Sequence, residues 1–313
     1  MIKKSFSTIN FWIKFLGFFL LAYLIYKVGW KETIISIRKI SLLHILVALI
    51  IFWIAFFVKS IRWKIVSNSY GIKFGIFKAL RVFFIGIFLG NITPGKLGDF
   101  GRLLYIKDEL PNQKVGWSSL IMDRLFDLFC LLLFSFFALV YYQIVFQILV
   151  LPKNYWGVLF WLLLAIICSF VIFKNRKNIR NKIRPWWEAF SSHDLGVEKS
   201  FLSLILTVVS MILIYGVFNY VAWAMGIRID HIGLFLGTFI LGVLSLLPIT
   251  ILGIGVRETS LVLIFQLYNL PAEDAVALSL IIFLLQLLSF LPGAIWFYLS
   301  PIQLKQLRIS KDN

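Results

Sequence analysis

The sequence contains few of the residues that usually build catalytic or metal centres. It has two cysteines, three histidines and 14 acidic residues among 313. Cys130 and Cys168 both lie inside apolar runs, so we interpret them as small buried hydrophobic residues rather than as a disulfide or a metal pair. His44, His193 and His231 lie far apart and have no ligand spacing to one another. The pattern predicts no metal site, no cofactor and no enzymatic activity.

Charged residues are also scarce, at 14% of the chain against about 25% in an average soluble domain. Hydrophobic residues reach 61%, compared with roughly 45–50% in soluble domains, and the mean hydropathy is +0.93. This composition excludes soluble, disordered and fibrous proteins and predicts an all-α polytopic membrane protein. The net charge of +17 is spread among apolar segments, which favours contact with anionic lipid over binding of nucleic acid.

Six segments are apolar over about the 20 residues that a membrane-spanning helix needs. They lie at roughly 10–28, 41–58, 118–149, 156–173, 200–225 and 273–299. Two further apolar stretches, at about 80–110 and 232–269, are interrupted in the middle by proline and glycine. The breaks contain Asn91, Pro94, Gly95 and Gly98 in the first stretch, and Pro248, Gly253 and Gly255 in the second. We interpret both stretches as re-entrant hairpins, although 232–252 alone is long enough to cross the membrane.

The distribution of lysine and arginine predicts the orientation of the segments. Bases concentrate in 59–81, in 174–199 and in the C-terminal tail, so these regions and both termini are expected in the cytoplasm. The turns near 150–155, 226–232 and 269–274 hold few bases and are expected outside. Four bases between 27 and 39 oppose this scheme. With this orientation the two broken segments enter the membrane from opposite faces.

A shift of 155 residues places Gly98 on Gly253 and Arg102 on Arg257. Each half then reads as a helix, a broken hairpin and a long helix, which is the pattern of the inverted repeats of secondary transporters. We expect one integral membrane domain over 1–313. Its parts are an N-terminal anchor at 1–40, a first half at 41–150, a connecting span and basic loop at 151–199, a second half at 200–300 and a tail at 301–313.

Charged side chains at the breaks are the candidate site, because ionisable groups at membrane depth are costly and usually functional. Free N–H groups at a helix break attract anions, and arginine adds bidentate contacts to phosphate. The candidate substrate-binding residues are Arg102, Arg257, Lys96 and Arg124. The candidate charge-pairing or proton-coupling residues are Glu258, Asp99, Asp123 and Asp127. The alternative for Asp123, Arg124 and Asp127 is a local ion-pair cluster that fixes the long helix to the first hairpin.

Three motifs occur in order along the chain. They are Asn91-Ile-Thr-Pro94-Gly95 followed by Gly98 and Arg102, then Asp123-Arg124-Leu-Phe-Asp127, then Gly253-Ile-Gly255-Val-Arg257-Glu258. Together they resemble the transmembrane, flippase-like family named after lysylphosphatidylglycerol synthases, over about 10–300. The resemblance implies an integral cytoplasmic-membrane protein, bacterial or archaeal, that translocates a lipid or lipid-linked molecule. It is expected to be the stand-alone membrane part, without the aminoacyl-transferase domain of the bifunctional members.

The favoured hypothesis is a lipid translocase that moves a phospholipid or lipid-linked phosphate headgroup across the membrane. Its expected partners are anionic or phosphate-bearing membrane lipids. The alternative is an accessory membrane subunit that binds or presents a lipid intermediate to a separate transferase. The identity of the lipid, the direction, the driving force and the oligomeric state stay open at this point.

Overall fold

The structure, a computed structural model, describes residue 23 and residues 26–147, 195–246 and 254–300, with the backbone alone for 94–97. The predicted span at 156–173, most of the one at 10–28 and the tail at 301–313 lie outside the described residues. Pro248 and Gly253, two of the predicted break residues, also lie outside them. The side chains of Pro94 and Lys96 are not part of the description either.

The regular elements in the described part of the chain are all helical. They are α1 (Trp30–Ile37), α2 (Leu42–Ser69), α3 (Ile76–Ile92), a 3-10 segment (Pro94–Glu109), α4 (Gln113–Phe146), α5 (Gly196–Ala224), α6 (His231–Leu244), α7 (Val256–Leu267), α8 (Ala272–Ser289) and α9 (Leu291–Leu299).

Four of these helical stretches are long and apolar enough to cross a membrane. They are Leu42–Ser69, Gln113–Phe146, Gly196–Ala224 and Ala272–Leu299, the last of which joins α8 and α9. Each matches a span predicted from the sequence, and their ends differ from the predicted ends by up to 11 residues. The described part of the chain is therefore that of an all-helical membrane protein.

The largest of these differences is at the end of α2. The bases after residue 58 predicted a cytoplasmic loop over 59–81, but α2 continues to Ser69. That interpretation was wrong for 59–69, because Arg62 is completely buried and its charge is paired inside the protein. A paired arginine is not placed by the rule that puts free bases in the cytoplasm. The bases from Lys73 to Arg81 still follow the helix end.

The first broken segment folds back on itself as a hairpin. Its two arms, α3 and the 3-10 segment, pack against each other. The open end of this hairpin is closed by an ion pair between Lys78 in the first turn of α3 and Glu109 at the end of the 3-10 segment. At the tip, the Thr93 hydroxyl accepts a hydrogen bond of 2.6 Å from the Gly98 N–H. A Cβ on Gly98 would lie 2.2 Å from the Leu89 carbonyl oxygen, so only glycine fits this turn.

The second broken segment has the same arrangement, with α6 packed on α7. Asp230, the N-cap of α6, accepts a hydrogen bond of 3.2 Å from the Tyr268 hydroxyl just after α7. The open ends of this hairpin are therefore also joined. Gly255 begins α7 with φ of 86°, a backbone conformation that favours glycine.

Helix α4 runs between the open ends of the two hairpins. It begins just after Pro111, which approaches the turn before α3. Near the other end of α4, Tyr142 donates a hydrogen bond of 2.9 Å to the Gly233 carbonyl, and Phe146 contacts the ring of Tyr268. Because α4 has 34 residues, it is about 50 Å long at 1.5 Å per residue. The two hairpins therefore open near opposite ends of this helix.

The long helices of the two halves pack in matching pairs. Helix α2 lies along α5, α4 packs on α6, and α9 packs on α3. In this last pair, a Cβ on Gly293 would lie 2.1 Å from the Phe84 carbonyl oxygen, so the backbones of α9 and α3 are in close contact. Each half thus places its last long helix against the first arm of the other half's hairpin.

Replacing Gly293 by alanine should destabilise the protein by about 1–3 kcal/mol, because the new methyl group meets backbone that cannot move away alone. Thermal unfolding in detergent, followed by loss of the monodisperse peak in size-exclusion chromatography, measures the effect. Gly216→Ala is the matched control, since a Cβ at this α5 position meets nothing within 4 Å. Equal melting temperatures for the two variants would contradict the close packing of α9 on α3.

Candidate functional site

A completely buried arginine joins three helices in the interior. Arg62 of α2 has no exposed side-chain surface. Its Nε donates to Asp123 Oδ1 at 2.9 Å, and its NH1 donates to Asp127 Oδ1 at 2.7 Å and to Thr207 Oγ1 at 2.8 Å. The two aspartates belong to α4 and Thr207 to α5. Arg62 therefore connects two helices of the first half to one of the second.

Sequence reasoning missed Arg62 and Lys59 as parts of this site. A signal was present, because Phe52, Ala55, Arg62 and Val66 are separated by three, seven and four residues, intervals that keep them on one helix face. All four are buried in the structure. Continuing this periodicity beyond residue 58 would have placed Arg62 inside the protein rather than in a loop.

The group of charged residues around Arg62 has a more open edge. Lys59 Nζ donates to Asp127 Oδ1 at 2.9 Å. Arg124 lies 3.7 Å from Asp127 Oδ2, pairs also with Asp99, and is 39% exposed. Because Lys59 and Asp127 are only slightly exposed, Arg124 is the cluster's main contact with its surroundings. The first cluster, as we call it, comprises Lys59, Arg62, Asp99, Arg102, Asp123, Arg124 and Asp127.

Arg102 links the first hairpin to this cluster. Its NH2 donates to Asp99 Oδ2 at 2.9 Å and lies 3.5 Å from Asp123 Oδ2. The guanidinium carbon lies 4.9 Å from the ring centre of Trp63 and 5.2 Å from that of Phe83. Two carboxylates and two aromatic faces therefore compensate the charge of this buried arginine. The bases outnumber the carboxylates of the first cluster by one.

Glycines of α3 make room for the Asp99 and Arg102 side chains. A Cβ on Gly86 would lie 2.7 Å from Asp99 Oδ1, and one on Gly90 would lie 3.2 Å from Asp99 Cβ. These two glycines are four residues apart and so occupy one face of the helix. The sequence therefore places the 3-10 segment directly against α3 and brings its charges to α4.

A second cluster surrounds the start of α7. Arg257 is 4% exposed, and its NH1 donates to Gln286 Oε1 at 2.7 Å. Glu258 accepts from the Gly255 N–H at 2.5 Å and from the Ser279 hydroxyl at 2.6 Å. Arg257 Nε lies 3.7 Å from Glu258 Oε1, which is beyond hydrogen-bond distance. Helix α8 thus supplies neutral polar partners to both charges of the second cluster, which comprises Arg257, Glu258, Ser279 and Gln286.

The site residues proposed from the sequence thus fall into two groups. Five lie in the first cluster, and Arg257 and Glu258 lie in the second. Within the described residues the two clusters have no member in common. Asn91 does not reach either cluster; its side-chain amide donates to the Ile87 carbonyl of its own helix at 2.8 Å. For Lys96, only the backbone within the 3-10 segment is described.

A third polar group lies near the far end of α4. Asp230 accepts hydrogen bonds from the hydroxyls of Tyr141 and Tyr268 and from the N–H groups of Ile232 and Gly233. Burial acts to raise the pKa of Asp230, but these hydrogen bonds to the charged form outweigh it and hold the pKa below its ordinary value. Burial raises the pKa of Tyr268. The hydroxyls therefore stay protonated as donors to an ionised Asp230, which joins α4 to the second hairpin.

Replacing Arg62 by methionine should cost about 3–5 kcal/mol of unfolding free energy, because it leaves Asp123 and Asp127 buried without their main counter-charge. Unfolding in mixed dodecyl maltoside and SDS micelles, followed by circular dichroism, measures this cost. Lys64→Met is the control, a partly buried base two residues away on the same helix. Equal and small losses for both variants would show that Arg62 is not a central structural residue.

Comparisons with known proteins show similarity to membrane proteins of two archaea. The chain is 24% identical to the UPF0104 membrane protein MJ1595 of Methanocaldococcus jannaschii over 97% of both chains. It is 25% identical to MJ1078 of the same organism over 68% of the chain and 94% of that relative. It is also 27% identical to PH1989 of Pyrococcus horikoshii, over 40% of the chain and only 39% of that relative. No solved structure matches.

The model of one protein family, described as the lysylphosphatidylglycerol synthase TM region, matches residues 11–293. This range includes both broken segments and every residue of the first and second clusters. The chain belongs to the lysylphosphatidylglycerol synthase transmembrane family.

Proposed function

We propose that the protein is a lipid translocase, not an enzyme, which moves a phospholipid or lipid-linked phosphate headgroup across the cytoplasmic membrane. The observation that carries this proposal is the set of charges at the two broken segments and on the helices packed against them. Five bases, Lys59, Arg62, Arg102, Arg124 and Arg257, lie within or beside apolar helices of spanning length. A protein that only anchored itself in lipid would gain nothing from placing them there, because charge at this depth is costly.

The chemical task of a translocase explains this use of charge. A phosphate-bearing headgroup is very unfavourable in hydrocarbon, so a pathway must replace its hydration with hydrogen-bond donors. Arginine supplies several donors in a planar fork and remains charged when buried. Lipid tails need no such replacement and can stay in the bilayer. The candidate substrate-binding residues remain Arg102, Arg257, Lys96 and Arg124.

We further propose that the two halves form an inverted repeat with one re-entrant hairpin from each face. Two features support this. The hairpins open near opposite ends of α4, and each half packs its last long helix on the first arm of the other half's hairpin. In transporters with this symmetry, rocking of one half against the other alternates access to a site at midplane. The same mechanism would carry the headgroup here, with both termini in the cytoplasm.

Translocation in proteoliposomes tests the function directly. The probes are fluorescent phosphatidylglycerol and a fluorescent polyprenyl phosphate. Dithionite added outside quenches only the probe in the outer leaflet, so the fraction that stays protected measures exchange between the leaflets. Wild type should equilibrate at least one probe between leaflets, and Arg257→Ala should lower that rate about tenfold or more, a loss of at least 1.4 kcal/mol of stabilisation. Lys73→Ala, an exposed base before α3, is the control.

If folded wild-type protein binds these lipids without moving either probe, the proposal that it is a translocase is rejected. That result would favour the alternative, an accessory subunit that presents a lipid to a separate transferase. An Arg257→Ala rate equal to wild type would instead remove this arginine from the pathway.

Cysteine labelling tests the proposed topology. In a background with Cys130→Ala and Cys168→Ala, Ala272→Cys should react with a membrane-impermeant maleimide added to intact cells. Gln113→Cys should react only after the cells are opened, since the two positions begin α8 and α4 at the open ends of opposite hairpins. Labelling of both positions from the same side would exclude the inverted arrangement.

A further inference from the structure

The two hairpin arginines differ in what compensates their charge. Arg102 faces Asp99 and Asp123 and the rings of Trp63 and Phe83. Arg257 has one hydrogen-bond acceptor among the described residues, and that acceptor is the neutral Gln286. A single ring, that of Phe283, lies 5.6 Å from its guanidinium carbon. Within the described residues Arg257 has one carboxylate nearby, Glu258 at 3.7 Å, whereas Arg102 has two, at 2.9 and 3.5 Å, so the charge of Arg257 is less compensated than that of Arg102.

Glu258 does not fill this deficit. Oε2 of Glu258 accepts from the Gly255 N–H, and Oε1 accepts from the Ser279 hydroxyl. These bonds hold the carboxylate against the start of α7, at 3.7 Å from Arg257 Nε. Nε and NH2 of Arg257 are both buried and donate to no described residue. Nε and NH1 of Arg102 are likewise without an acceptor in the described part of the chain, so the two arginines differ in the number and distance of the carboxylates beside them. A buried guanidinium in this state is stabilised by any anion that reaches it.

Gln286 is placed to take part in that contact. It is half-buried on α8, three residues after Phe283, so both residues lie on the face of α8 that meets the start of α7. Its carbonyl oxygen is used by Arg257, which leaves its amide N–H groups as donors. An oxyanion beside Arg257 would therefore meet guanidinium and amide donors together.

We propose that Arg257 and Gln286 form the subsite for the phosphate group of the transported lipid, and that Gln286 keeps this subsite available by being neutral. A carboxylate at position 286 would pair with Arg257 as the aspartates pair with Arg102. The inference rests on the proposed function and deepens it, since it assigns phosphate recognition to the second cluster. This assignment replaces Arg102 and Arg124 as candidates for the phosphate contact and leaves the first cluster as an ion-pair network.

The decisive variant is Gln286→Glu, which changes charge with almost no change in shape. Binding of dihexanoyl-phosphatidylglycerol in detergent, measured by titration calorimetry, should weaken about tenfold or more, because the new carboxylate takes the Arg257 charge and repels phosphate. The melting temperature should stay equal or rise, since a buried charge gains its partner. Gln286→Met, which removes the acceptor but adds no charge, should weaken binding by only about threefold, since a neutral hydrogen bond is worth less than a charged one.

Gln266→Glu is the matched control, an exposed glutamine on α7. It should bind the short-chain lipid like wild type. Equal binding by Gln286→Glu and Gln266→Glu, or an equal loss in Gln286→Glu and Gln286→Met, would overturn the subsite. Glycerol 3-phosphate serves as a probe without tails. If it binds wild type as tightly as the lipid does, the occupant is a soluble phosphate and the proposed lipid subsite is wrong.

Translocation by the same variants separates this inference from the proposed function. In one outcome, the wild type binds the short-chain lipid but moves no lipid, and Gln286→Glu loses the binding. This outcome supports the subsite and contradicts the translocase. In the opposite outcome, the wild type moves lipid and Gln286→Glu binds and transports it equally well. This outcome supports the translocase and contradicts the subsite.

Discussion

The interior of this protein depends on one enclosed guanidinium. Arg62 has no exposed surface, so each of its bonds replaces a bond to water that the low-dielectric interior cannot supply. Two carboxylates on α4 accept from its Nε and NH1, and the Thr207 hydroxyl on α5 adds a neutral acceptor. Any displacement of α4 from α2 would leave charges on both sides unpaired. The geometry of the first half is therefore fixed by electrostatics as well as by apolar packing.

The two halves share an order of elements but differ in chemistry. In the first half, the hairpin arginine Arg102 meets two carboxylates, and glycines of α3 allow the 3-10 segment to approach closely enough for this pairing. In the second half, Arg257 meets the neutral Gln286, while Glu258 is bound to the backbone and to Ser279. One half thus pairs its hairpin arginine with two carboxylates, and the other holds its hairpin arginine against a neutral amide, with one carboxylate at 3.7 Å. A symmetric sequence alignment of the two arginines conceals this difference.

The lengths of the apolar runs, and the proline and glycine residues that interrupt them, predicted much of the fold. Four spans were located because a run of about 20 apolar residues has few alternatives, and Pro94 begins the 3-10 segment that follows α3. Arg62 was missed because a charge count treats every base as solvated, whereas pairing depends on Asp123, which is 61 residues away. Gln286 carried no sequence signal, since a glutamine in an apolar helix acquires meaning only from the arginine beside it. The membrane spans can therefore be predicted from the local sequence, whereas the site depends on residues that are distant in the sequence.

The placement of strong and weak bonds also indicates where the halves can move. Within the first half, α2, α4 and the 3-10 segment are joined by several ion pairs. Between α2 and α5, the described polar contacts are the Arg62 bond to Thr207 and the 2.8 Å contact of His44 with Tyr220. Each has an uncharged partner on α5. A neutral bond contributes about 0.5–1.5 kcal/mol, and a bond with one charged partner, such as that of Arg62, about 1.5–3 kcal/mol. Apolar packing supplies the rest of that interface and, being non-directional, tolerates sliding better than ion pairs do. Among the described residues, the seam between α2 and α5 therefore lacks the ion pairs that hold the first half together.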